Sequence, residues 1–171
     1  MAKLIKLFVC KDALKFSSAH MTIFGDGSKE PLHGHNYQVA LSIEIDEEEA
    51  TSVQVTFSSL KLMLKPLCKD LDEKILLPTR NPHVRILSSQ TEIEVLVSKR
   101  RYVFPADEVC LLELENVTAE LLAKYFVTKL KEALATDMAV QTWAPHVKGV
   151  EVQIFESAGQ GAAYSYRRES E

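Results

Sequence analysis

Apolar side chains that recur at every second position constrain the fold of this chain most strongly. They do so over residues 3–19, with an interruption at Lys11-Asp12, and again over residues 35–45. Successive side chains of a β-strand point to opposite faces of a sheet, so this period predicts two long strands, each with one apolar face. The same alternation over residues 147–155 predicts the last strand of the chain.

Two segments between these strands have the apolar spacing of amphipathic helices. Residues 58–74 follow this spacing after an N-cap at Ser58-Ser59, and Pro66 predicts a kink or a break inside the helix. Residues 116–136 begin with the capping-type sequence N-V-T-A-E and predict a second helix. This order of strands and helices predicts an α+β fold in which helices cover one face of the sheet.

The segment between the two predicted helices contains loop and hairpin signals. Residues 76–82 include two prolines and predict a rigid loop. Residues 84–104 predict a hairpin that is inserted into the α+β pattern and turns at Ser98-Lys99-Arg100.

The composition is that of an ordinary globular domain. Of 171 residues, 46% are hydrophobic and 26% are charged, and no linker or shift in composition divides them, so we expect one domain over residues 1–171. The net charge is -4 and the pI is about 5.8, which argues against general binding to nucleic acid or to an anionic membrane. Any phosphate-bearing ligand would have to be held locally.

The cysteines and the beginning of the chain indicate a cytoplasmic protein. Cys10, Cys68 and Cys110 are odd in number, widely spaced and set among apolar neighbours, which favours buried thiols over disulfides or a cysteine-rich zinc site. Residues 1–5 lack the apolar region of a signal peptide, and nowhere do eighteen uninterrupted apolar residues occur to span a bilayer.

Three of the five histidines lie within sixteen residues. The spacing His33-x-His35 places two imidazoles on one face of a strand, and His20 ends the preceding alternating segment. Three imidazoles with a fourth position left open are typical of catalytic zinc, and the carboxylate of Glu30 lies nearby in the sequence. The alternative is that these are ordinary polar or core histidines.

Five motifs in this order carry a resemblance to a known family. They are F-S-S-A-H (residues 16–20), H-G-H-N-Y (33–37), D-L-D (70–72), T-A-E-x-x-A (118–123) and I-F-E-S (154–157). Their order and spacing resemble the 6-pyruvoyl-tetrahydropterin synthase family, which includes the 6-carboxytetrahydropterin synthases. The resemblance runs from about residue 4 to residue 166, apart from the inserted hairpin.

The resemblance implies a fold and an assembly. The family has the tunnelling fold, in which a four-stranded antiparallel sheet carries two helices on one face. Three copies form a barrel, two trimers stack as a homohexamer, and the active sites lie between subunits. Exposed edges of the two long strands would be protected by such an assembly.

The resemblance also implies ligands and a substrate. It assigns a catalytic Zn2+ to His20, His33 and His35, and the anchoring of a pterin ring to Glu156. Thr118 and Glu120 match further contacts to the ring. A carboxylate can accept two N–H bonds from the 2-amino-pyrimidinone edge of a pterin, so the anchor is chemically reasonable. The alternative for Glu156 is an exposed carboxylate at a strand end.

One departure from the family concerns the catalytic base. Most members carry a cysteine shortly before H-G-H, whereas residues 21–32 contain none. Glu30 resembles the branch in which glutamate replaces that cysteine. Enzymes of that branch cleave the side chain of 7,8-dihydroneopterin triphosphate to give 6-hydroxymethyl-7,8-dihydropterin, a folate precursor.

A second departure concerns the Asp-His pair that usually shuttles protons with the cysteine. The matching segment has Asp72 followed by Glu73 in place of histidine. We expect both carboxylates to take part in catalysis, although they could instead form only the acidic end of a helix. His83 could replace the missing imidazole, or it could be an ordinary surface histidine.

The expected function is therefore that of a zinc-dependent lyase acting on a pterin. Glu30 would remove a hydroxyl proton from the substrate, and the C1′–C2′ bond would break in retro-aldol fashion. Three alternatives remain open: synthesis of 6-pyruvoyl- or 6-carboxytetrahydropterin, a pterin- or zinc-binding relative without turnover, and a structural assembly subunit.

Overall fold

The alternating segments at the start of the chain form the two longest strands of the structure. It is a computed structural model that describes residues 3–50 and 55–168. In chain order its elements are β1 (Leu4–His20), β2 (His33–Asp46), α1 (Phe57–Leu71), β3 (Lys74–Pro78), β4 (Val84–Ser88), β5 (Glu92–Val97), β6 (Arg100–Pro105), β7 (Val109–Leu112), α2 (Ala119–Thr136), β8 (Val147–Ser157) and β9 (Gln160–Arg167). Short 3-10 turns lie at Ala106–Glu108 and Ala144–His146.

The main sheet has six strands in the order β7-β3-β1-β2-β8-β9. The expected four-stranded antiparallel sheet corresponds only to β1, β2, β8 and β9, which pair antiparallel. The other two strands are parallel, because β3 pairs with β1 and β7 pairs with β3. The α+β class is confirmed, but the main sheet is mixed and has two more strands than the four-stranded antiparallel description gave it.

The segment after α1 corrects two further expectations. The helix ends at Leu71 rather than near residue 74, and residues 74–78 form β3 where a loop was expected from residue 76. The helix runs through Pro66 without a break. Its N-cap is Thr56, whose hydroxyl accepts a hydrogen bond from the backbone N–H of Ser59, so the cap lies two residues before the expected serine.

Both helices pack on one face of the main sheet. Phe16 of β1, Tyr37 of β2 and Phe126 of α2 are buried there, with ring centres 4.7 Å apart for Phe16–Tyr37 and 6.0 Å apart for Phe16–Phe126. Full burial of such a side chain contributes about 1.5–3 kcal/mol relative to an exposed one, so this layer holds the helices against the sheet. None of the helices in the described residues is long and apolar enough to cross a membrane.

The expected hairpin over residues 84–104 is a three-stranded antiparallel sheet in the order β4-β5-β6. Its turn between β5 and β6 has Ser98 and Lys99 at positive φ (48° and 59°), so the turn is tight. The inner face of β5 packs on residues that flank β1 and β2, and these form a second, smaller apolar core. This sheet therefore lies against the loop that joins the two longest strands.

The pairing of β1 with β2 positions the histidines. His20 lies opposite His33, and Ser18 lies opposite His35, at the end of the two strands. The register shifts between Cys10 and Lys15, where β1 contains extra residues. Beyond this bulge, His20 and His35 lie on the same sheet face as the buried Phe16 and Tyr37 layer.

Candidate functional site

Three imidazoles meet at the end of the apolar layer. The ring centres are 4.6 Å apart for His20–His33, 4.8 Å for His33–His35 and 5.3 Å for His20–His35. One potential ligand atom from each residue lies within 4.8 Å of the others. The structure thus brings the three predicted histidines into an arrangement that could hold a metal ion.

Backbone carbonyls set the orientation of two of these rings. The Nδ1 atom of His20 lies 2.8 Å from the carbonyl oxygen of Val117, and that of His33 lies 2.9 Å from the carbonyl oxygen of Pro31. A carbonyl can only accept a hydrogen bond, so Nδ1 carries the proton in both rings and Nε2 keeps its lone pair. This is the usual outer support of a histidine ligand.

The donor set fits a metal ion on two further observations. The Nε2 atom of His20 is buried and has no hydrogen-bond partner among the described residues. Burial is the largest cause that lowers the pKa of His20, so the neutral, metal-binding form of the ring is favoured. A cation held between the three imidazoles would satisfy this buried lone pair.

A cavity of about 390 Å³ opens beside the three histidines. It is lined by His20, Thr22, Glu30, His33, His35, Thr118, Ala119, Glu120, Glu156 and Gly161. The structure therefore gathers Glu30, Thr118, Glu120 and Glu156 around one space, and their roles stay predictions. No lysine, arginine or cysteine is among the lining residues of this described cavity.

Two predicted catalytic residues lie outside this cavity within the protomer. The Oδ1 atom of Asp72 accepts a hydrogen bond from the backbone N–H of Ser17 at 2.7 Å, and the N–H of Glu73 donates to the Ser17 carbonyl at 2.7 Å. Both acidic residues are exposed, and Glu73 has a positive φ of 57°. They fasten the end of α1 to β1, and their catalytic assignment stays a prediction.

Glu30 lies in the loop between β1 and β2 (residues 21–32), called the Glu30 loop below, and hydrogen bonds fix this loop at several points. Its backbone N–H donates to the carbonyl of Thr22 at 2.9 Å, and the Nζ of Lys29 donates to its carbonyl at 2.8 Å. The amide of Asn116 accepts from the N–H of Ile23 at 3.1 Å and donates to the Ile23 carbonyl at 2.8 Å. The start of α2 and the Glu30 loop are therefore held together.

The start of α2 brings its own residues to the cavity. Thr118 is the N-cap of the helix, and its side chain accepts from the N–H of Leu121. Val117, just before it, supplies the carbonyl that orients His20. The start of this helix thus carries Thr118 and Glu120 to the cavity and also orients a candidate metal ligand.

Tyr37 is a site residue that the sequence reasoning did not single out. Its ring centre lies 5.5 Å from that of His35, and the side chain is fully buried. Burial, followed by the charge of Glu156, raises the pKa of Tyr37, so the phenol stays protonated beside that carboxylate. Its position two residues after His35 on the same strand face was the available signal.

His83 does not line the cavity. Its Nε2 lies 3.2 Å from the carbonyl oxygen of Gly25, and its ring packs beside Gly27. It is an exposed residue that contacts the tip of the Glu30 loop, so this protomer gives it no contact with the histidine cluster.

Fold and site together define an α+β protein with a three-histidine centre and an acidic cavity, and comparison with known proteins places it further. The family described as 6-pyruvoyl tetrahydropterin synthase matches residues 10–168. The chain belongs to that family, whose members are pterin enzymes. The resemblance seen in the five motifs is thus confirmed.

Two curated relatives are named "Putative 6-carboxy-5,6,7,8-tetrahydropterin synthase". The one from Methanocaldococcus jannaschii is 30% identical over 151 residues, covering 88% of this chain and 89% of its own. The one from Pyrococcus horikoshii is 27% identical over 163 residues, covering 91% of this chain and 88% of its own.

Solved structures agree with the fold. A 6-pyruvoyl tetrahydropterin synthase from Plasmodium vivax has a TM-score of 0.84 at 25% identity and covers 97% of this chain and 99% of its own. The Plasmodium falciparum protein has a TM-score of 0.85 at 25% identity, with 96% and 99% covered. Two further Plasmodium vivax structures carry glutamate-to-cysteine and glutamate-to-alanine changes and are described as catalytic residue mutants.

Proposed function

We propose that this chain is a zinc-dependent lyase that cleaves the side chain of 7,8-dihydroneopterin triphosphate to 6-hydroxymethyl-7,8-dihydropterin. The observation that carries the proposal is that Glu30 lines the same cavity as the three histidines, and no cysteine does. A carboxylate is therefore the available base. The Plasmodium vivax protein, which shares the fold, is described as having a catalytic glutamate.

His20 and His33 would hold the zinc through Nε2, because their Nδ1 atoms face backbone carbonyls, and His35 would add one ring nitrogen. When bound, a zinc ion acts as a Lewis acid that lowers the pKa of hydroxyl groups placed against it. The buried Val117 and the Pro31 carbonyls keep two of the imidazoles in the tautomer that this requires.

Glu156 would orient the substrate. Its carboxylate can accept two N–H bonds from the 2-amino-pyrimidinone edge, and a pair of charge-assisted bonds fixes both position and angle of the ring. Tyr37 stays neutral beside it, so the phenol adds no negative charge that would compete for those donors. Thr118 and Glu120 line the same space and would add contacts to the ring.

Glu30 would move the proton. Its carboxylate removes the proton of the C2′ hydroxyl, that oxygen forms the new carbonyl, and the C1′–C2′ bond breaks. C1′ keeps the electron pair of the broken bond, which is delocalised into the C=N of the dihydropterin ring until C1′ is protonated. C2′ leaves as an aldehyde that carries the rest of the side chain and its triphosphate. Holding the Glu30 carboxylate and the substrate hydroxyl in one cavity makes the proton transfer between them effectively unimolecular.

A second candidate is 6-carboxytetrahydropterin synthesis, and the names of the two curated relatives favour it. It would also use the three histidines and Glu156. Both reactions leave one side-chain carbon on the pterin ring, but that carbon is a hydroxymethyl group in one product and a carboxylate in the other, so product analysis separates the two candidates.

The decisive experiment incubates the purified protein with 7,8-dihydroneopterin triphosphate and identifies the pterin products by chromatography. We expect mainly 6-hydroxymethyl-7,8-dihydropterin. Glu30→Gln keeps shape and hydrogen bonding without basicity and should lower the rate by about 10²-fold or more. The exposed Glu48→Gln is the matched control and should leave the rate unchanged. A wild type that releases 6-carboxy- or 6-pyruvoyl-tetrahydropterin instead would overturn the proposed reaction.

Metal content tests the ligands separately from turnover. We expect about one zinc per chain, lost in His33→Ala and kept in His146→Ala, because His146 lies outside the cavity. Full zinc occupancy of a protein in which His33 and His35 are both replaced by Ala would contradict the assignment.

We also propose that the protein works as a homohexamer. Asp72 and Glu73 lie outside the cavity of their own protomer, so they could serve the reaction only if another copy brings them to it. The family resemblance, a stack of two trimers with sites between subunits, supplies such a copy.

A further inference from the structure

The three-stranded sheet β4-β5-β6 covers the loop that carries Glu30. Met21 and Ile23 of this loop are buried in the second apolar core together with Ile93, Val95 and Val97 of β5. Leu32, on the other side of Glu30, packs against the same core. The inserted sheet thus packs against the segments on both sides of the proposed base, Glu30, and could affect how that residue is positioned.

The polar contact between sheet and loop runs through Lys29. Its Nζ donates to the carbonyl oxygen of Glu30 at 2.8 Å and lies 5.1 Å from the centre of the Tyr102 ring in β6. No acidic side chain pairs with this ammonium group among the described residues. The contacts that the structure gives this ammonium group are therefore the Glu30 carbonyl and the face of the Tyr102 ring.

The Tyr102 ring is itself held in place. It stacks on Phe104, with ring centres 5.9 Å apart, and both side chains are partly buried against the second apolar core. A fixed ring face attracts an ammonium group through its quadrupole, and the attraction increases as water is excluded. A leucine of similar apolar character would keep the packing without that attraction.

We propose that Tyr102 is a positioning residue for Glu30, acting through Lys29. The ring fixes the ammonium group, the ammonium group fixes the Glu30 carbonyl, and the peptide so held sets the direction of the carboxylate into the cavity. This inference rests on the proposed function, because it assigns Tyr102 a role in the proton transfer of Glu30. Its claim about the loop can be measured without turnover.

The first test compares Tyr102→Leu with Tyr102→Phe. Tyr102→Phe keeps the ring and is the matched control, because the Tyr102 hydroxyl makes no hydrogen bond in the described residues. Tyr102→Leu should lower kcat about tenfold and leave KM within about twofold, since the base is misdirected while the substrate contacts remain. Tyr102→Phe should match the wild type, and zinc content should be unchanged in both.

The second test follows backbone hydrogen exchange by mass spectrometry. Peptides covering residues 22–32 should exchange about tenfold faster in Tyr102→Leu than in wild type, and peptides covering residues 37–45 should not change. Lys29→Met, at a partly exposed position, should reproduce both the faster exchange and the lower kcat even if Tyr102→Leu fails to fold.

The outcomes separate the inference from the reaction on which it rests. Wild-type exchange over residues 22–32 in both Tyr102→Leu and Lys29→Met overturns the inference, whatever the reaction. Equal loss in Tyr102→Phe and Tyr102→Leu also overturns it, because the ring would then not be the cause. Faster local exchange together with a wild type that does not cleave the substrate would retain the loop contact and reject the proposed function and, with it, the catalytic role of Tyr102.

Discussion

Replacing Gly161 by alanine tests how closely β9 must approach β8 beside the cavity. Gly161 pairs with Phe155 across these strands and lines the cavity next to Glu156. A Cβ at this position would lie 2.9 Å from both Cα and Cδ1 of Phe155, and closer still to the carbonyl oxygen of Ile154. Two of these neighbours are backbone atoms, so side-chain rotation cannot relieve the overlap.

The size of the effect follows from the displacement that is needed. Ordinary contacts begin at 3.4 Å, so β9 must move by at least 0.5 Å relative to the Cα of Phe155 (3.4 − 2.9). Overpacking of this kind costs about 1–3 kcal/mol. For a chain of this length each kcal/mol shifts Tm by roughly 2–4 °C, so we expect a loss of about 2–12 °C. The displaced wall next to Glu156 should also raise KM for the pterin.

Thermal unfolding followed by circular dichroism measures this loss, with Gly25→Ala as the matched control. Nothing lies within 4 Å of a Cβ at Gly25, and its φ is not in the left-handed region. Reduced freedom of the unfolded chain should leave that variant unchanged or more stable by about 0.4–1 kcal/mol. If Gly161→Ala unfolds within about 1 °C of the wild type, the close approach of the two strands is not a constraint and the reasoning fails.

Three further predictions concern other parts of the molecule. Asp72→Ala should lose about 1 kcal/mol of stability because the Ser17 N–H loses its acceptor, whereas Asp72→Asn keeps an acceptor. Equal Tm values for Asp72→Ala and the wild type would contradict this structural role, and a drop in turnover without a drop in Tm for Asp72→Asn would indicate a chemical role. The exposed Cys10 should react first with a thiol reagent at pH 8, since burial raises the pKa of Cys68 to about 12, and rapid labelling of Cys68 in the native protein would refute this order. Because the pKa of Cys68 is raised in the folded state, its contribution to stability should be complete below pH 9 and lost progressively between pH 9 and 12, as urea unfolding at several pH values would measure. Light scattering should give six chains per particle. If Asp72 acts in the site of a neighbouring subunit and each variant is inactive alone, refolding Glu30→Gln and Asp72→Asn chains together should restore activity. A monomer at micromolar concentration would reject both the hexamer and the shared site.

Sequence periodicity predicts a strand well when the strand is long and has one buried face. β1, β2 and β8 meet this condition, and all three were expected within a few residues of their observed bounds. β3 and β7 have five and four residues, too few for a period, and they add to the edge of the sheet through parallel pairing with distant residues. Seven of the eight residues of β9 are exposed, and Gly161, Ala162 and Ala163 are small, so no apolar alternation marks this strand.

The site divides in the same way. The three histidines, Thr118, Glu120 and Glu156 lie in motifs of the family resemblance, and Glu30 lies three residues before H-G-H. The structure places all of them around one cavity, and their roles stay predictions. The carbonyl of Val117 and the buried phenol of Tyr37 could not, because a carbonyl has no sequence identity and the environment of a phenol depends on which strands surround it. Asp72 was selected by its motif, but the contact that the structure gives it is the Ser17 amide.

The bulge in β1 connects the fold to the candidate site, because it decides on which face of the sheet His20 lies. Val9 lies opposite Leu41 before the bulge, and His20 lies opposite His33 after it, so β1 has three more residues than β2 between these pairs. An odd number reverses the alternation of side chains. Without the bulge His20 would point to the sheet face opposite His33, and the three imidazoles could not meet. Gln38 holds the bulge open by donating to the carbonyls of Lys11 (2.7 Å) and Leu14 (3.0 Å). An interruption of the apolar pattern in β1 thus brings three candidate metal ligands together.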